Sequence, residues 1–350
     1  MASRAIGAHV DPYVNHGGES PGLEDPLDTT EASRFLYPPT SLLLIRPLGF
    51  FRYPPTKLCF DALTLAILIT TLLYLKRRYN PADLWVLLVF LSLPVMATIQ
   101  RGQIDVMVLA LLLLGYFATP LVAGIALGLA IGLKAYPVIV LLFFLTIKRW
   151  ATVAAASVTA ALMGVLALAL WGKASYNEWA HNLFARTSPT VYLHSFSHIV
   201  QNHYIDSPDG LFTLDQKFVG TFSNPLLWAH SLALPLGLAF IVAYMWFSRR
   251  IERDLAYLGL ISFLLFANRI LWTMGMVMCI PIVLALLTRT KSRLEQLGLV
   301  LPFFLPAELS YHGMSPRFVL LSLTIIVIFA RLRRTDGDLA AKPLTPLEIE

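Results

Sequence analysis

Charged residues are scarce in this chain. Only 14% of its 350 residues are charged and 57% are hydrophobic, whereas soluble domains average about 25% charged residues. This scarcity excludes an ordinary soluble protein and predicts an all-helical, polytopic membrane protein. The net charge of +6 does not indicate a nucleic-acid partner, because the cations form short clusters between apolar runs. Such clusters orient helices in a membrane.

Cysteine is nearly absent as well. Cys59 and Cys279 are too few and too far apart for a disulfide framework or a metal motif. Three histidines in "HSFSHIVQNH" (194–203) fit no common zinc spacing. We therefore expect no metal and no other cofactor. The polar first 33 residues also lack the apolar segment of a cleavable signal.

Long apolar runs are abundant, and at roughly 20 residues per span they predict about eleven transmembrane helices. These runs lie near residues 58–75, 83–99, 104–118, 121–133, 135–147, 151–171, 225–247, 255–267, 270–288, 297–309 and 317–330. Together they make a predicted transmembrane bundle over residues 57–334.

Polar segments complete the predicted organisation. Residues 1–56 form an outer N-terminal loop with a re-entrant piece at 41–51, which is too short to span. Residues 172–224 form a large outer loop, and 335–350 form a disordered cytoplasmic tail. We expect the N-terminus outside and the C-terminus inside.

One lysine interrupts the apolar stretch 121–147. A lysine at the bilayer centre costs on the order of 2.5–3.5 kcal/mol on insertion scales, so Lys134 needs a polar destination. The cationic clusters all become cytoplasmic only if this stretch crosses the membrane twice, which predicts a break at Lys134, just before Tyr136 and Pro137. Lys134 would then end a short helix, recessed below the outer surface. The alternative is a lysine that snorkels to the interface.

Three segments carry a family resemblance. "FLYPPTSLLLIRPLGF" (35–50), "RGQIDVMVLALLLLGY" (101–116) and "AGIALGLAIGLKAYPVIVLLFFLTIKRW" (123–150) resemble glycosyltransferase family 87, membrane enzymes of the GT-C superfamily. The resemblance implies a GT-C-like bundle with some short helices and an outer-face cavity. It also implies transfer of a hexose, mannose before others, from a polyprenyl-phosphate-linked donor to a glycolipid or polysaccharide acceptor. Transfer would occur at the outer face of the plasma (inner) membrane, with the bilayer itself as a partner.

The resemblance also assigns roles to residues of the predicted outer side. The donor phosphate would be bound by Lys134, with Arg34 and Arg269 as further candidates. The sugar and its cavity would be lined by Tyr37, Gln103, Asp105 and His312. For Asp105, the residues themselves favour capping of the helix that starts there.

The catalytic base is the point at which the chain departs from the family pattern. Members usually place an aspartate base outside the membrane after a first helix, and "ASRAIGAHVDPY" (2–13) resembles the stretch downstream of that base. We therefore expect the base upstream of Met1, with Asp11 as the nearest carboxylate in this chain. Trp272 is followed by Thr273, where members commonly carry histidine.

These departures leave three functions open. We expect the chain as given to transfer sugar weakly or not at all. A non-catalytic or truncated relative that binds lipid-linked sugar is one alternative. A lipid-sugar transporter is another, although the repeated halves typical of transporters are not visible in the sequence.

Overall fold

The computed structural model of the chain describes residues 37–51, 53–184, 237–267, 273–305 and 316–340. Within these ranges the chain forms α-helices and 3-10 helices and contains no strand, which confirms the predicted all-helical class. The helices are α1 (Pro39–Ile45), α2 (Tyr53–Tyr79), α3 (Asp83–Phe90), α4 (Leu93–Arg101), α5 (Asp105–Phe117), α6 (Pro120–Leu133), α7 (Val140–Thr146), α8 (Trp150–Phe184), α9 (237–247), α10 (Arg253–Ala267), α11 (Ile280–Leu287), α12 (Arg293–Val300) and α13 (Pro316–Ala340).

Two of these helices are long and apolar enough to cross a membrane. They are the Pro55–Tyr79 part of α2 and the Trp150–Ala180 part of α8, and the pair α3 and α4, bent by 41°, counts as a third if it is one broken span. Shorter apolar helices include α5 and α6. The described residues therefore hold two or three candidate spans, and a bundle of about eleven spans stays a prediction.

The predicted break at Lys134 is confirmed. Helix α6 ends at Leu133, and Lys134 has extended backbone angles (φ −141°, ψ 129°). A 3-10 helix then runs over Tyr136–Ile139 with Pro137 in its first turn, where a missing backbone N–H costs no hydrogen bond. The 14 residues of α6 reach only about 20 Å, less than the roughly 30 Å hydrocarbon core.

The chain packs as two compact units, Met1–Thr70 with Thr98–Pro189, and Thr71–Ala97 with Thr190–Glu350. In the first unit, α6 packs closely against α8. Three glycines at four-residue intervals line this face of α6: Gly124, Gly128 and Gly132. A Cβ added at Gly128 would collide with the side chain of Thr159, and one at Gly132 would lie 2.5 Å from Met163. The glycines thus allow the close backbone approach known from small-residue interfaces of membrane helices.

We expect Gly128→Ala to lower the free energy of unfolding by about 1–3 kcal/mol, because the added methyl group overpacks the α6–α8 contact. Gly164→Ala on α8 is the matched control. Its Cβ would meet nothing nearer than the Tyr176 hydroxyl at 4.0 Å, so it should be neutral or stabilise by about 0.4–1 kcal/mol. Chemical denaturation of the detergent-solubilised protein measures both changes. Equal effects of the two substitutions would contradict the close contact.

Helix α8 extends beyond residue 171, where the sequence predicted its end. It continues to Phe184 through a kink at Gly172 (φ 72°, ψ 175°), a backbone conformation that glycine adopts readily. The first residues of the predicted outer loop 172–224 are therefore helical, and the rest of that loop lies outside the described residues beyond 184.

The second unit contains the deeply buried helices α10 and α11. Every residue of α11 is buried, and the Tyr244 hydroxyl of α9 donates a hydrogen bond to the Ala256 carbonyl of α10 (2.8 Å).

The last two helices differ from their predicted bounds. Helix α12 begins at Arg293, where the Ser292 side chain accepts a hydrogen bond from the Glu295 backbone N–H, and it is shorter than the predicted run 297–309. Helix α13 is described as far as Ala340, so residues 335–340 of the tail that was predicted to be disordered are helical.

Candidate functional site

Four of the predicted site residues lie at one end of the first unit. Helices α5 and α6 are neighbours joined by the two residues 118–119, so the start of α5 and the end of α6 meet. Asp105 begins α5 and Lys134 follows α6, and Tyr37 and Gln103 lie beside them. The other predicted site residues lie outside the described residues: Asp11, Arg34, Arg269 and His312.

Lys134 and Asp105 form an ion pair. The Lys134 Nζ lies 2.7 Å from Asp105 Oδ1, and the two side chains are 16% and 4% exposed. A carboxylate in the first turn of a helix and a cation at the end of another are both favoured by the helix dipoles. A buried charge also requires a partner, and each of these residues supplies it to the other. The predicted capping role of Asp105 is wrong, because the residue that caps α5 is Ile104, without a side-chain bond, and the Asp105 carboxylate pairs with Lys134 instead.

Two aromatic rings complete the surroundings of the Lys134 ammonium group. The Nζ atom lies 5.4 Å from the centroid of the Tyr37 ring and 5.9 Å from that of Tyr136, distances at which a cation is attracted to an aromatic face. The ammonium group therefore lies among a carboxylate and two rings of its own unit. The Asp105 carboxylate is thus a polar partner of the kind that the insertion cost of Lys134 requires.

Tyr37 and Gln103 are joined by a hydrogen bond that the tyrosine hydroxyl donates to Gln103 Oε1. Burial of this hydroxyl raises the pKa of Tyr37 well above its ordinary value, the charge of Asp105 raises it further, and the Ile104 backbone lowers it in part. Tyr37 is consequently a neutral hydrogen-bond donor near pH 7. Among the described residues, the side-chain nitrogen of Gln103 has no hydrogen-bond partner, and its two N–H groups can donate to a ligand.

The "YPPT" segment (37–40) brings Tyr37 to this position. Pro38 precedes α1 in an extended conformation, and the Thr40 hydroxyl donates a 2.6 Å hydrogen bond to the Gly132 carbonyl. Gly132 lies in the last turn of α6, whose carbonyl groups have no partner within the helix. Thr40 thus fastens α1 to the end of α6, beside Lys134.

Residues 99–105, the site segment, comprise the end of α4, the three residues that link it to α5, and the first residue of α5, and they carry both Gln103 and Asp105. The segment turns at Gly102, whose φ of +61° favours glycine. The backbone N–H of Gln103 donates a hydrogen bond to the Thr98 carbonyl (3.0 Å). Lys57 of α2 bonds Ile99, the first residue of the site segment. The Nζ atom of Lys57 lies 3.0 Å from the Ile99 carbonyl and 2.5 Å from Asp61.

Sequence reasoning missed Lys57 and Asp61. Asp61 lies inside the predicted span 58–75, and an ionisable residue within a span is by default a candidate for function. The side chains of Lys57 and Asp61 are 24% and 25% exposed, so both are directed largely into the protein. That signal was present in the sequence as a Lys–Asp pair four residues apart.

A family comparison decides the identity of the chain. Residues 35–267 match glycosyltransferase family 87. This range covers more than half of the chain and contains the Lys134–Asp105 ion pair, the two tyrosines beside it and the site segment. The chain belongs to glycosyltransferase family 87.

Proteins similar to this family 87 chain include mycobacterial mannosyltransferases. A polyprenol-phosphate-mannose-dependent alpha-(1-2)-phosphatidylinositol mannoside mannosyltransferase of Mycobacterium tuberculosis is 28% identical over 170 residues, 43% of this chain and 40% of the relative. A polyprenol-phosphate-mannose-dependent alpha-(1-2)-phosphatidylinositol pentamannoside mannosyltransferase of Mycolicibacterium smegmatis is 30% identical over 139 residues, 37% of this chain and 34% of the relative. The matches thus span 40% or less of these relatives. No solved structure matches the chain.

The described site of this family 87 member combines three chemical features. It has a largely buried cation, a buried carboxylate paired with it, and neutral hydrogen-bond donors on Tyr37 and Gln103. Such a set can bind a singly charged phosphate through Lys134 and sugar hydroxyl groups through the Gln103 amide.

Proposed function

We propose that this protein is a membrane glycosyltransferase that moves a hexose, mannose before others, from a polyprenyl-phosphate-linked donor to a glycolipid or polysaccharide acceptor at the outer face of the plasma membrane. One observation carries the proposal. In a chain that belongs to family 87, a largely buried lysine follows the last residue of a short apolar helix and is held there by Asp105 and two tyrosine rings. The donor class also agrees with the names of the mycobacterial relatives.

The reaction creates negative charge on phosphate. The bond between the anomeric carbon and the phosphate oxygen breaks, and its electron pair stays on that oxygen. The anomeric carbon bonds to the oxygen of the acceptor hydroxyl, whose proton passes to a base or to solvent. Preorganised positive charge at developing negative charge is commonly the largest catalytic contribution, and Lys134 supplies it in this proposal.

Gln103 binds the sugar in the same proposal, and Tyr37 orients the Gln103 side chain. The Gln103 amide donates its two N–H groups to hydroxyl oxygens of the hexose, while the Tyr37 hydroxyl holds the amide oxygen and so fixes which way the amide points. A neutral site of this kind suits an uncharged hexose.

The short helices provide a route for the lipid. Helix α5 has 13 residues and reaches about 20 Å, so the end that carries Asp105 and Lys134 lies within the membrane if the opposite end is at its surface. A phosphate attached to a polyprenyl chain would then reach Lys134 from the bilayer while its tail stays in lipid.

Donor binding tests the proposal. We expect Lys134→Gln to weaken binding of mannosyl farnesyl phosphate about 10- to 100-fold, because it removes a charge-assisted hydrogen bond, and Lys134→Arg to retain part of the affinity, although with different geometry. Titration of the purified protein in lipid nanodiscs measures this. Lys148→Gln, an exposed lysine after α7, is the control. Unchanged donor binding in Lys134→Gln would contradict the assignment of Lys134 to the phosphate site.

A further inference from the structure

Asp105 binds the ammonium group of Lys134, which is the same group that binds the donor phosphate in the proposed function. Its carboxylate lies 2.7 Å from Lys134 Nζ and is only 4% exposed, so a phosphate that binds Lys134 also meets a fixed negative charge. Because the carboxylate is buried, water and salt screen its charge less than they screen a surface charge. Lys134 and Asp105 together add no net charge to the site.

The donor and the product of the proposed reaction differ in charge at the atom group that Lys134 binds. The donor phosphate is a diester and carries one negative charge. After the anomeric bond breaks, the polyprenyl phosphate is a monoester with a charge of about −1.5 to −2 at pH 7, since its second pKa is about 6. A lone lysine would attract the product more strongly than the donor and would retain the spent lipid.

We propose that Asp105 is a specificity-determining residue that disfavours the polyprenyl phosphate product relative to the sugar-bearing donor and thereby promotes product release. This inference rests on the proposed function. The additional charge of the product lies next to the Asp105 carboxylate and is repelled by it, while the singly charged donor is accommodated by Lys134. The carboxylate thus offsets the preference for the more highly charged ligand that Lys134 alone would create.

The other titratable groups around Lys134 do not supply this discrimination. Within the described residues, Tyr37 and Tyr136 also face its ammonium group, and the Lys57–Asp61 pair contacts the site segment at Ile99 and Gly102. The two tyrosines approach the ammonium group with their rings. Asp61 is bonded by Lys57 through both of its oxygens, so this pair adds no net charge.

The experiment compares two probes, farnesyl phosphate for the product and mannosyl farnesyl phosphate for the donor. We expect Asp105→Asn to increase the affinity for farnesyl phosphate, relative to that for the donor, by at least about tenfold at pH 7.5, since charges a few ångströms apart interact strongly at an effective dielectric constant of about 20. Asp254→Asn is the matched control, because it removes another ion-paired carboxylate, that of the Arg78–Asp254 pair. It should leave the ratio of the two affinities unchanged.

A pH series provides a readout that a merely structural role of Asp105 would not change. Between pH 5.5 and 7.5 the product loses its second proton while the donor keeps its charge. We expect farnesyl phosphate to bind Asp105→Asn progressively more tightly over this range and the unaltered protein no more tightly. Tighter binding by the unaltered protein with rising pH would overturn the inference, and this measurement needs no variant that folds.

The outcomes also separate the inference from the function on which it rests. If Lys134→Gln weakens donor binding but Asp105→Asn changes both affinities equally, the phosphate site stands and the role of Asp105 is wrong. If Lys134→Gln changes neither affinity, the phosphate site is wrong and the inference falls with it. A selective gain for farnesyl phosphate in Asp105→Asn, absent from Asp254→Asn, supports both.

Discussion

Lys134→Ala is expected to lower the free energy of unfolding by about 3–5 kcal/mol, because it leaves the Asp105 carboxylate buried without its cation. That side chain is only 4% exposed, so water cannot replace the lost partner without rearrangement of the start of α5. Lys134→Met combined with Asp105→Leu should recover most of this loss, since apolar replacement of a whole buried pair is often neutral or stabilising. The coupling between the two positions is therefore large.

A double-mutant cycle measures this coupling. Unfolding of Lys134→Met, of Asp105→Leu and of the double variant in detergent yields the three free-energy differences. The exposed pair Arg289–Glu252, with side chains 42% and 45% exposed, is the control, and Arg289→Ala should change stability by less than about 1 kcal/mol. Additive effects at Lys134 and Asp105 would show that the two residues do not depend on each other.

The result also governs how activity data on Lys134 are read. A loss of transfer in Lys134→Ala alone combines a lost phosphate contact with an unpaired buried carboxylate. Lys134→Gln is the better variant for binding, because its amide still donates to Asp105.

The break at Lys134 could be predicted because charge and topology both require it. Neither the insertion cost of a lysine nor the common side of the cationic clusters depends on tertiary structure. The short length of α6 (14 residues) follows from the same break. The partner of Lys134 could not be predicted, since Asp105 lies 29 residues away and the pairing depends on how α5 and α6 pack.

Other features of the fold depend on packing that hydropathy does not record. The run 151–171 predicted the first part of α8, but continuation through Gly172 depends on a backbone conformation (φ 72°) that composition leaves open. The three glycines of α6 are spaced as at a small-residue interface, yet their partner helix α8 is visible only in the structure. Lys57 was missed because it stands at the edge of an apolar run, where a cation is an ordinary anchor.

Lys57 is the positioning residue with the largest expected effect on turnover in the proposed reaction. Its ammonium group uses all three of its donors, two on the Asp61 carboxylate (2.6 and 2.5 Å) and one on the Ile99 carbonyl (3.0 Å). Its stem occupies the space next to Gly102, where an added Cβ would lie 3.4 Å from Cε. Lys57 therefore holds the site segment at its start and at its turn, ahead of Gln103 and Asp105.

We expect Lys57→Met to lower turnover about 100-fold, because misplacement of catalytic or binding groups by about 1 Å can reduce the rate by that factor. The loss should appear in kcat together with a weaker donor affinity, since the same segment carries Gln103 and Asp105. Lys57→Arg should rescue part of the activity, because it restores a cation that can bond both Asp61 and the Ile99 carbonyl. Mannosyl transfer from mannosyl farnesyl phosphate to a glycolipid acceptor in membranes measures these rates.

Lys76→Met on the same helix is the matched control. Lys76 also pairs with an aspartate, Asp83, but its side chain is 38% exposed and that of Asp83 is 81% exposed, so loss of this pair should change stability and turnover little. If Lys57→Met is folded and transfers mannose as fast as the unaltered protein, the site segment does not depend on Lys57. If Lys57→Arg is as inactive as Lys57→Met, the shape of the lysine side chain beside Gly102 is needed as well as its charge, and the bond to Ile99 is not sufficient to place the segment.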